Sequence, residues 1–271
     1  MRLRKLADRA FTLACFASVL LVLAPLFSIV YTVASRGARA LSITFITSLP
    51  APVGEAGGGV ANAIQGTVML TLLSMGITLP IGVASGIYLA EYGRSRLADL
   101  VAVARDTLAG TPSIVAGVFS YMLIVSRWGF SALAGAVALS VLVIPVVSKA
   151  TEEALKMVPR EVKEAGLALG LRRWKVVAYI LLKEAKAGIL AGALLSMARV
   201  AGETAPLLFT SFGNQGYAGG FLDPCSALPL VIYVYATSPY EEWHTQAWGA
   251  ALLLMLAVLS INLAVRRVVR G

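Results

Sequence analysis

Histidine is nearly missing from this chain, and so is every pattern that enzymatic chemistry needs. His244 is the only histidine, and Cys15 and Cys225 are the only cysteines, far apart in sequence. So few nitrogen and sulfur ligands exclude a histidine–cysteine metal cluster and a disulfide framework. A lone histidine near the end of an apolar run reads as an interfacial side chain rather than a metal ligand. No nucleophile–base set stands out, so no catalytic residue and no bound cofactor is expected. There is also no G-x-x-x-x-G-K-[ST] loop, so nothing here is built to cradle the phosphates of ATP. Charge is scarce, at 14% of residues, and lopsided, with 23 Lys and Arg against 14 Asp and Glu for a net charge of +9. Basic excess often marks a nucleic-acid binder, but these cations are scattered over short polar stretches, which excludes that class.

What the chain has in quantity is grease. It is 58% hydrophobic over 271 residues, with a mean hydropathy of +0.82. Five runs carry no Asp, Glu, Lys or Arg: 10–35, 56–90, 107–126, 128–148 and 243–265. A sixth, 187–211, is interrupted only by Arg199 and Glu203. A membrane-crossing helix needs about 20 such residues. The expectation is therefore an all-α, polytopic membrane protein of six transmembrane helices in one domain covering 1–271. The first span lies at 10–35, the core spans fall within 60–266, and a polar loop occupies 151–186. With the N-terminus inside, 19 of the 23 Lys and Arg fall in inner segments. That asymmetry obeys the positive-inside rule and places both termini in the cytoplasm. The basic start resembles a signal peptide, but its apolar run is too long and has no small-residue cleavage pattern, so it reads as a retained span.

Along the chain, 35–59 is expected to be a flexible Gly-rich outer stretch. The third span starts at Gly110-Thr111-Pro112-Ser113. There Thr111 can cap and Pro112 fits the first helical position, a plain helix start being favoured over an anion contact. Arg127-Trp128-Gly129 reads as a short outer turn. The apolar patch at 227–237 lies among three prolines and reads as a short element packed on the outer mouth, not a seventh span. In the fifth span, Arg199 and Glu203 are four apart and so share a helical face near mid-membrane. Charges at that depth face a cavity or each other. Two readings follow: an ion pair that fixes packing, or a polar lining for a charged solute, with Arg199 available to an anion. Gly202 and Pro206 can open the helix beside them.

The loop at 151–186 organises the rest. Pro159 suits the start of a helix, Val162, Ala165, Gly166 and Leu169 give it one narrow apolar face, and Gly170 can end it in the left-handed conformation. Trp174, Val177, Ala178 and Leu181 then begin a second helical face. Pattern alone allows either an amphipathic loop lying on headgroups or a docking surface whose small Ala165 and Gly166 admit a partner's backbone.

The order Glu164-Ala165-Gly166, Gly170, Ile180, Leu182 resembles the EAA loop of ABC importer permeases. Two positions depart from it: Gly166 stands where Ala is usual, and Lys183 where Pro is usual. The string from Arg199 through Gly202-Glu203-Thr204-Ala205-Pro206-Leu207-Leu208-Phe209-Thr210 resembles the phosphate permeases of that family, as does Gly110–Val115. The resemblance covers residues from 90 to the end and implies a type I importer permease fold. It implies that Glu164, Ala165, Gly166 and Gly170 couple to an ATPase, and that Arg199, Glu203 and Thr204 lie on a phosphate path. It also implies a second permease subunit, an ATPase dimer that binds the ATP, and an extracytoplasmic phosphate-binding protein. The competing classes are an ABC permease for another oxyanion or small solute and an ATP-independent secondary transporter. No internal repeat of the kind common in secondary carriers is present.

Overall fold

The computed structural model describes residues 2–52, 55, 57–93 and 95–270. Ala56, where the second uncharged run begins, and Arg94, one of the expected inner cations, lie outside them. Over the described residues, twelve α-helices follow one another: α1 (Arg2–Ala40), α2 (Ile43–Thr47), α3 (Ala61–Tyr92), α4 (Arg96–Ala109), α5 (Ser113–Ser120), α6 (Ser126–Trp128), α7 (Ala132–Lys156), α8 (Arg160–Ala168), α9 (Arg173–Val176), α10 (Leu182–Gly202), α11 (Leu228–Ala236) and α12 (Glu241–Arg270). Wide π-turns at Tyr121–Val125 and Val177–Leu181 join α5 to α6 and α9 to α10. Among the described residues there is no strand, only an isolated bridge between Pro50 and Gly58.

Four helices are long and apolar enough to cross a membrane: α1, α3, α7 and α12. A fifth crossing is counted if α4 and the α5–α6 run are one bent span. α10 has the length, at 21 residues, but Lys183, Glu184, Lys186 and Arg199 keep it from being uniformly apolar.

α3 and α7 form the spine, packed along each other more extensively than any other pair. Lipid supplies no hydrophobic force between helices, so close backbone approach and interhelical hydrogen bonds must hold them. Gly86 shows the first device: a Cβ there would stand 2.5 Å from the Ser148 carbonyl oxygen and 2.6 Å from Thr151 Cβ. Ser85 Oγ donates to Ser148 Oγ at 2.9 Å, and Ser74 and Ser140 hydroxyls meet at 3.3 Å. α10 and α5 complete the core around Leu70, Leu139, Val143, Val147, Val200 and Leu207.

Several expectations need correction. The third run's helix starts within the expected Gly110–Ser113 stretch, at Ser113. α4 precedes it as a separate helix turned 104° from the α5–α6 run. Thr111 does not cap it, because its hydroxyl donates back to the Thr107 carbonyl at 3.1 Å. Pro112 is the cap residue itself, in extended conformation (ψ 139°), and Ser113 is the first helical position. Arg127 and Trp128 are the last turn of helix, and Gly129 makes the reversal at φ +83°. The fifth helix runs over 182–202 rather than 187–211. The 35–59 stretch is partly ordered: α1 continues to Ala40, and Ser42 Oγ accepts from Phe45 N at 3.0 Å to start α2. The 227–237 patch is, as expected, a short packed element: helix α11, against α12 and α3.

Cys225 sits in the connection before α11 and is 1% exposed. Burial pushes its thiol up to about 12, so it stays neutral at any working pH. Maleimide at pH 8 is expected to label Cys225 only after unfolding, as read by peptide mass spectrometry. Labelling of the folded protein would mean that the α10–α11 connection opens.

Candidate functional site

Two places gather the polar chemistry: the elbow formed by α8 and α9, and the point where α10 stops. The elbow begins where α7 runs out. Met157 and Val158 link α7 to Pro159, whose fixed ring holds the cap position of α8 (φ −55°, ψ 140°). α8 is nine residues long and closes when Leu169 N bonds to Ala165 O at 3.1 Å and Gly170 N to Leu167 O at 2.9 Å. Gly170 then turns left-handed at φ +77°, a conformation that costs glycine nothing and other residues about 1 kcal/mol or more. The expected helix, tight turn and second helix are present.

The small residues, however, do not share a face. Ala165 is exposed, as are Glu164 and Glu161, while Gly166 is buried against the chain itself. A Cβ on Gly166 would lie 2.9 Å from Ile180 Cδ1 and 3.2 Å from Val176 Cγ2. Gly166 therefore lets α8 lie down on the α9–π-turn segment rather than admitting a partner. The second face also shifts. Val176 and Leu181 are the buried residues, and Trp174 and Ala178 point outward, because the π-turn inserts a residue that strict 3.6 spacing does not anticipate. Outward from the elbow lie Glu161, Glu164, Ala165, Ala168 and Leu169, the last 82% exposed.

Glu91, at the end of α3, fastens the elbow. Its side chain is 5% exposed, and Lys163 Nζ reaches its two oxygens at 2.9 and 2.6 Å. Arg173 Nε is 3.4 Å from Oε2, and its Nη2 donates to the Glu91 carbonyl at 2.5 Å. The same guanidinium lies 4.5 Å over the Tyr92 ring, which stacks on Tyr88. A cleft of about 930 Å³ opens beside this cluster, lined also by Lys156 and Arg160. On the adjoining side, Glu152 of α7 binds both Arg105 of α4 and Lys156, and Arg105 also holds Asp106 at 2.9 Å. Sequence spacing gave no signal for Glu91–Lys163 or Arg105–Glu152, whose partners lie 72 and 47 residues apart.

At the other place, α10 ends at Gly202, and Glu203 is already extended (φ −76°, ψ 129°). Arg199 Nε still lies 3.4 Å from Glu203 Oε1, with side chains 53% and 20% exposed. They meet, but across the helix end rather than along a helical face. Counting 1.5 Å per residue, Arg199 stands about 18 Å along α10 from Ala187, where the uncharged run begins. Thr204 O accepts from Leu207 N at 3.1 Å, and a short 3₁₀ turn, Leu207–Phe209, follows. α5 seals one side: a Cβ on Gly117 would be 2.7 Å from Pro206 Cα.

Residues 82–271 match the family described as the binding-protein-dependent transport system inner membrane component. The chain belongs to that family of permeases. Curated relatives cover nearly the whole of this permease. The phosphate transport system permease protein PstA of Yersinia pestis is 42% identical over 97% of this chain and 90% of its own length. The probable PstA of Methanocaldococcus jannaschii is 40% identical over 97% and 94%. Solved structures share the permease fold at low identity. A chain of an inward-facing MetNI methionine ABC transporter gives a TM-score of 0.60 at 23% identity, covering 78% of this chain and 93% of its own. A chain of a bacterial alginate ABC transporter in complex with its periplasmic protein gives 0.67 at 14% identity, covering 97% and 96%. The permease fold and the helical membrane architecture expected from the sequence thus hold.

Proposed function

We propose that this permease is the PstA-type subunit of an ATP-driven phosphate importer. The observation that carries the reading is the 40–42% identity, over nearly the full chain, to PstA proteins of a bacterium and an archaeon. In this reading the protein performs no catalysis. ATP is bound and hydrolysed by a dimer of separate ATPase subunits on the cytoplasmic side. A second permease completes the path, and an extracytoplasmic phosphate-binding protein delivers the solute. Both termini and the elbow are cytoplasmic in this reading, which the placement of Lys and Arg supports.

Glu164 and Ala165, with the exposed side of α8, meet the ATPase, while Gly166 and Gly170 shape the elbow that carries them. Closure of the ATPases displaces the elbow, and the spans tilt between inward- and outward-open states. Arg199, Glu203 and Thr204 line the path. Non-helical backbone at membrane depth is tolerated where it is buried or lines a cavity, and α10 unwinds beside an exposed arginine. An anion crossing lipid needs a cation or donors in place of water.

Radiolabelled phosphate uptake with and without this chain, in cells holding the other subunits, tests the reading. Uptake is expected only with the chain, together with co-purification of an ATPase. Uptake of another oxyanion but not phosphate would transfer the reading to that solute. Replacing Gly170 by Val is a narrower test. A β-branched residue resists φ +77° by about 1–2 kcal/mol, so the turn should relax and misplace α8. The expected result is ATP hydrolysis that persists while uptake falls about tenfold. Normal uptake in reconstituted vesicles would remove the elbow from the mechanism.

A further inference from the structure

Motion of the elbow can reach the spans in two ways, and only one is covalent. α8 is tied to α7 through Met157–Pro159, and α9 runs through its π-turn into α10. α3 has no such link: 67 residues separate Tyr92 from Arg160. Yet α3 is half of the spine, so a mechanism that tilts the spans must also move it. Beside the apolar cluster that Ile87 and Ala90 of α3 share with Val176 and Leu181, the ionic tie between α3 and the elbow among the described residues is one carboxylate. Glu91 receives Lys163 from α8 and Arg173 from α9, and Arg173 also caps the Glu91 carbonyl and covers Tyr92. The charged groups around the cleft are Glu91, Lys156, Arg160, Lys163 and Arg173, and Lys156 is engaged by Glu152. Glu91 is thus the only acid lining the cleft among the described residues, and it is nearly buried, at 5% exposure. A carboxylate so placed has no other anion to share its cations and little water to replace them.

We propose that Glu91 is a positioning residue, the joint through which the α8–α9 elbow moves helix α3. The proposal rests on the coupling reading above and extends it to a residue outside the elbow. Two cations from two different helices on one acid make a three-way fastening that resists both sliding and rotation. A single exposed ion pair would not, since such pairs contribute little. Loss of the joint leaves α7 and α10 driven by the chain and α3 lagging, so ATP is consumed without full opening.

The test uses the complete transporter, with all subunits, in sealed vesicles, and reads phosphate taken up per ATP hydrolysed. Glu91→Gln keeps the shape and removes the charge. The expected result is an uptake-to-hydrolysis ratio lowered about tenfold, with hydrolysis largely retained and the ATPase still co-purifying. The paired exchange Glu91→Lys with Lys163→Glu keeps two cations and one acid at the joint and is expected to recover much of the ratio. A purely structural ion pair would change yield and thermal stability but not the ratio. An unchanged ratio in E91Q overturns the proposal. If E91Q does not assemble, Lys163→Gln probes the same joint from a side chain that is 30% exposed. A lowered ratio there supports the joint, and a wild-type ratio overturns it. A wild-type complex that couples no uptake to ATP would instead sink the coupling reading itself, a separate and recognisable result.

Discussion

Arg199→Gln is expected to abolish phosphate uptake while leaving the permease assembled with its partners. Arg199 is 53% exposed within this chain although it stands about 18 Å into the apolar part of α10. Its one ionic contact among the described residues, Glu203, is a single Nε–Oε1 approach at 3.4 Å, longer than a well-made charge-assisted bond. A residue retained only to fix packing would be buried and fully paired. Removing it should therefore cost the fold little, since exposed pairs contribute about 0–1 kcal/mol. Removing it from an anion's route should cost much more. A charge at membrane depth is unfavourable by about 3 kcal/mol on insertion scales, which corresponds to roughly a hundredfold in rate if left uncompensated. Uptake in vesicles, together with size-exclusion of the complex, separates the two readings. Wild-type uptake in R199Q would make the pair structural.

Glu152→Ala is expected to produce the largest loss of stability of any single change considered. Glu152 and Arg105 have side chains 9% and 10% exposed, and Lys156 leans on the same carboxylate. Truncating Glu152 strands Arg105 against α7 with only the exposed Asp106 for company. Breaking a buried pair from one side costs about 3–5 kcal/mol when the remaining charge has neither partner nor water, and the retained Asp106 contact puts this loss at the lower end of that range. Replacing both partners by leucine should recover much of that, since neither charge then remains to be satisfied. The measurements are thermal unfolding of the purified subunit in micelles and the yield of assembled complex. A difference below about 0.5 kcal/mol for the single change would mean that α4 is held by other contacts. Because Arg105 is what pins α4 across the spine, a loosened α4 should also appear as faster amide exchange over 96–109.

How much of this was written in the order of residues depends on the range of the force involved. Spans α1, α3, α7 and α12 were legible because an uncharged run must find lipid, whatever its neighbours. Gly170 was legible because only glycine takes that turn cheaply. The ends of helices were less so. α10 starts five residues earlier than its apolar run, since Leu182 to Lys186 continue the helix in water. It stops at Gly202, before Pro206, because proline offers no donor to carry the helix on. The 104° corner between α4 and α5 was hidden, because an uncharged stretch looks the same straight or bent. Gly166 was read as a partner's landing place, because smallness does not reveal which neighbour it accommodates. That neighbour turned out to be Ile180, brought round by a π-turn that ordinary periodicity cannot forecast. Glu91–Lys163 and Arg105–Glu152 were invisible for a simpler reason. Ion pairs between distant helices depend on tertiary geometry, and a charge in a loop carries no label naming its mate.

The N-terminal helix has an odd consequence for how this protein is made. None of the most apolar stretch of α1 is buried within the subunit. Its main contact is with α12, where Gly37 nestles against the Trp248 backbone and Arg36 lies 5.2 Å over the Trp248 ring. Since translation proceeds from the amino end, α1 reaches the bilayer some two hundred residues before its companion α12 is synthesised. For that interval lipid must cover the face that α12 will later meet, and the α1–α12 contact forms only once α12 has emerged.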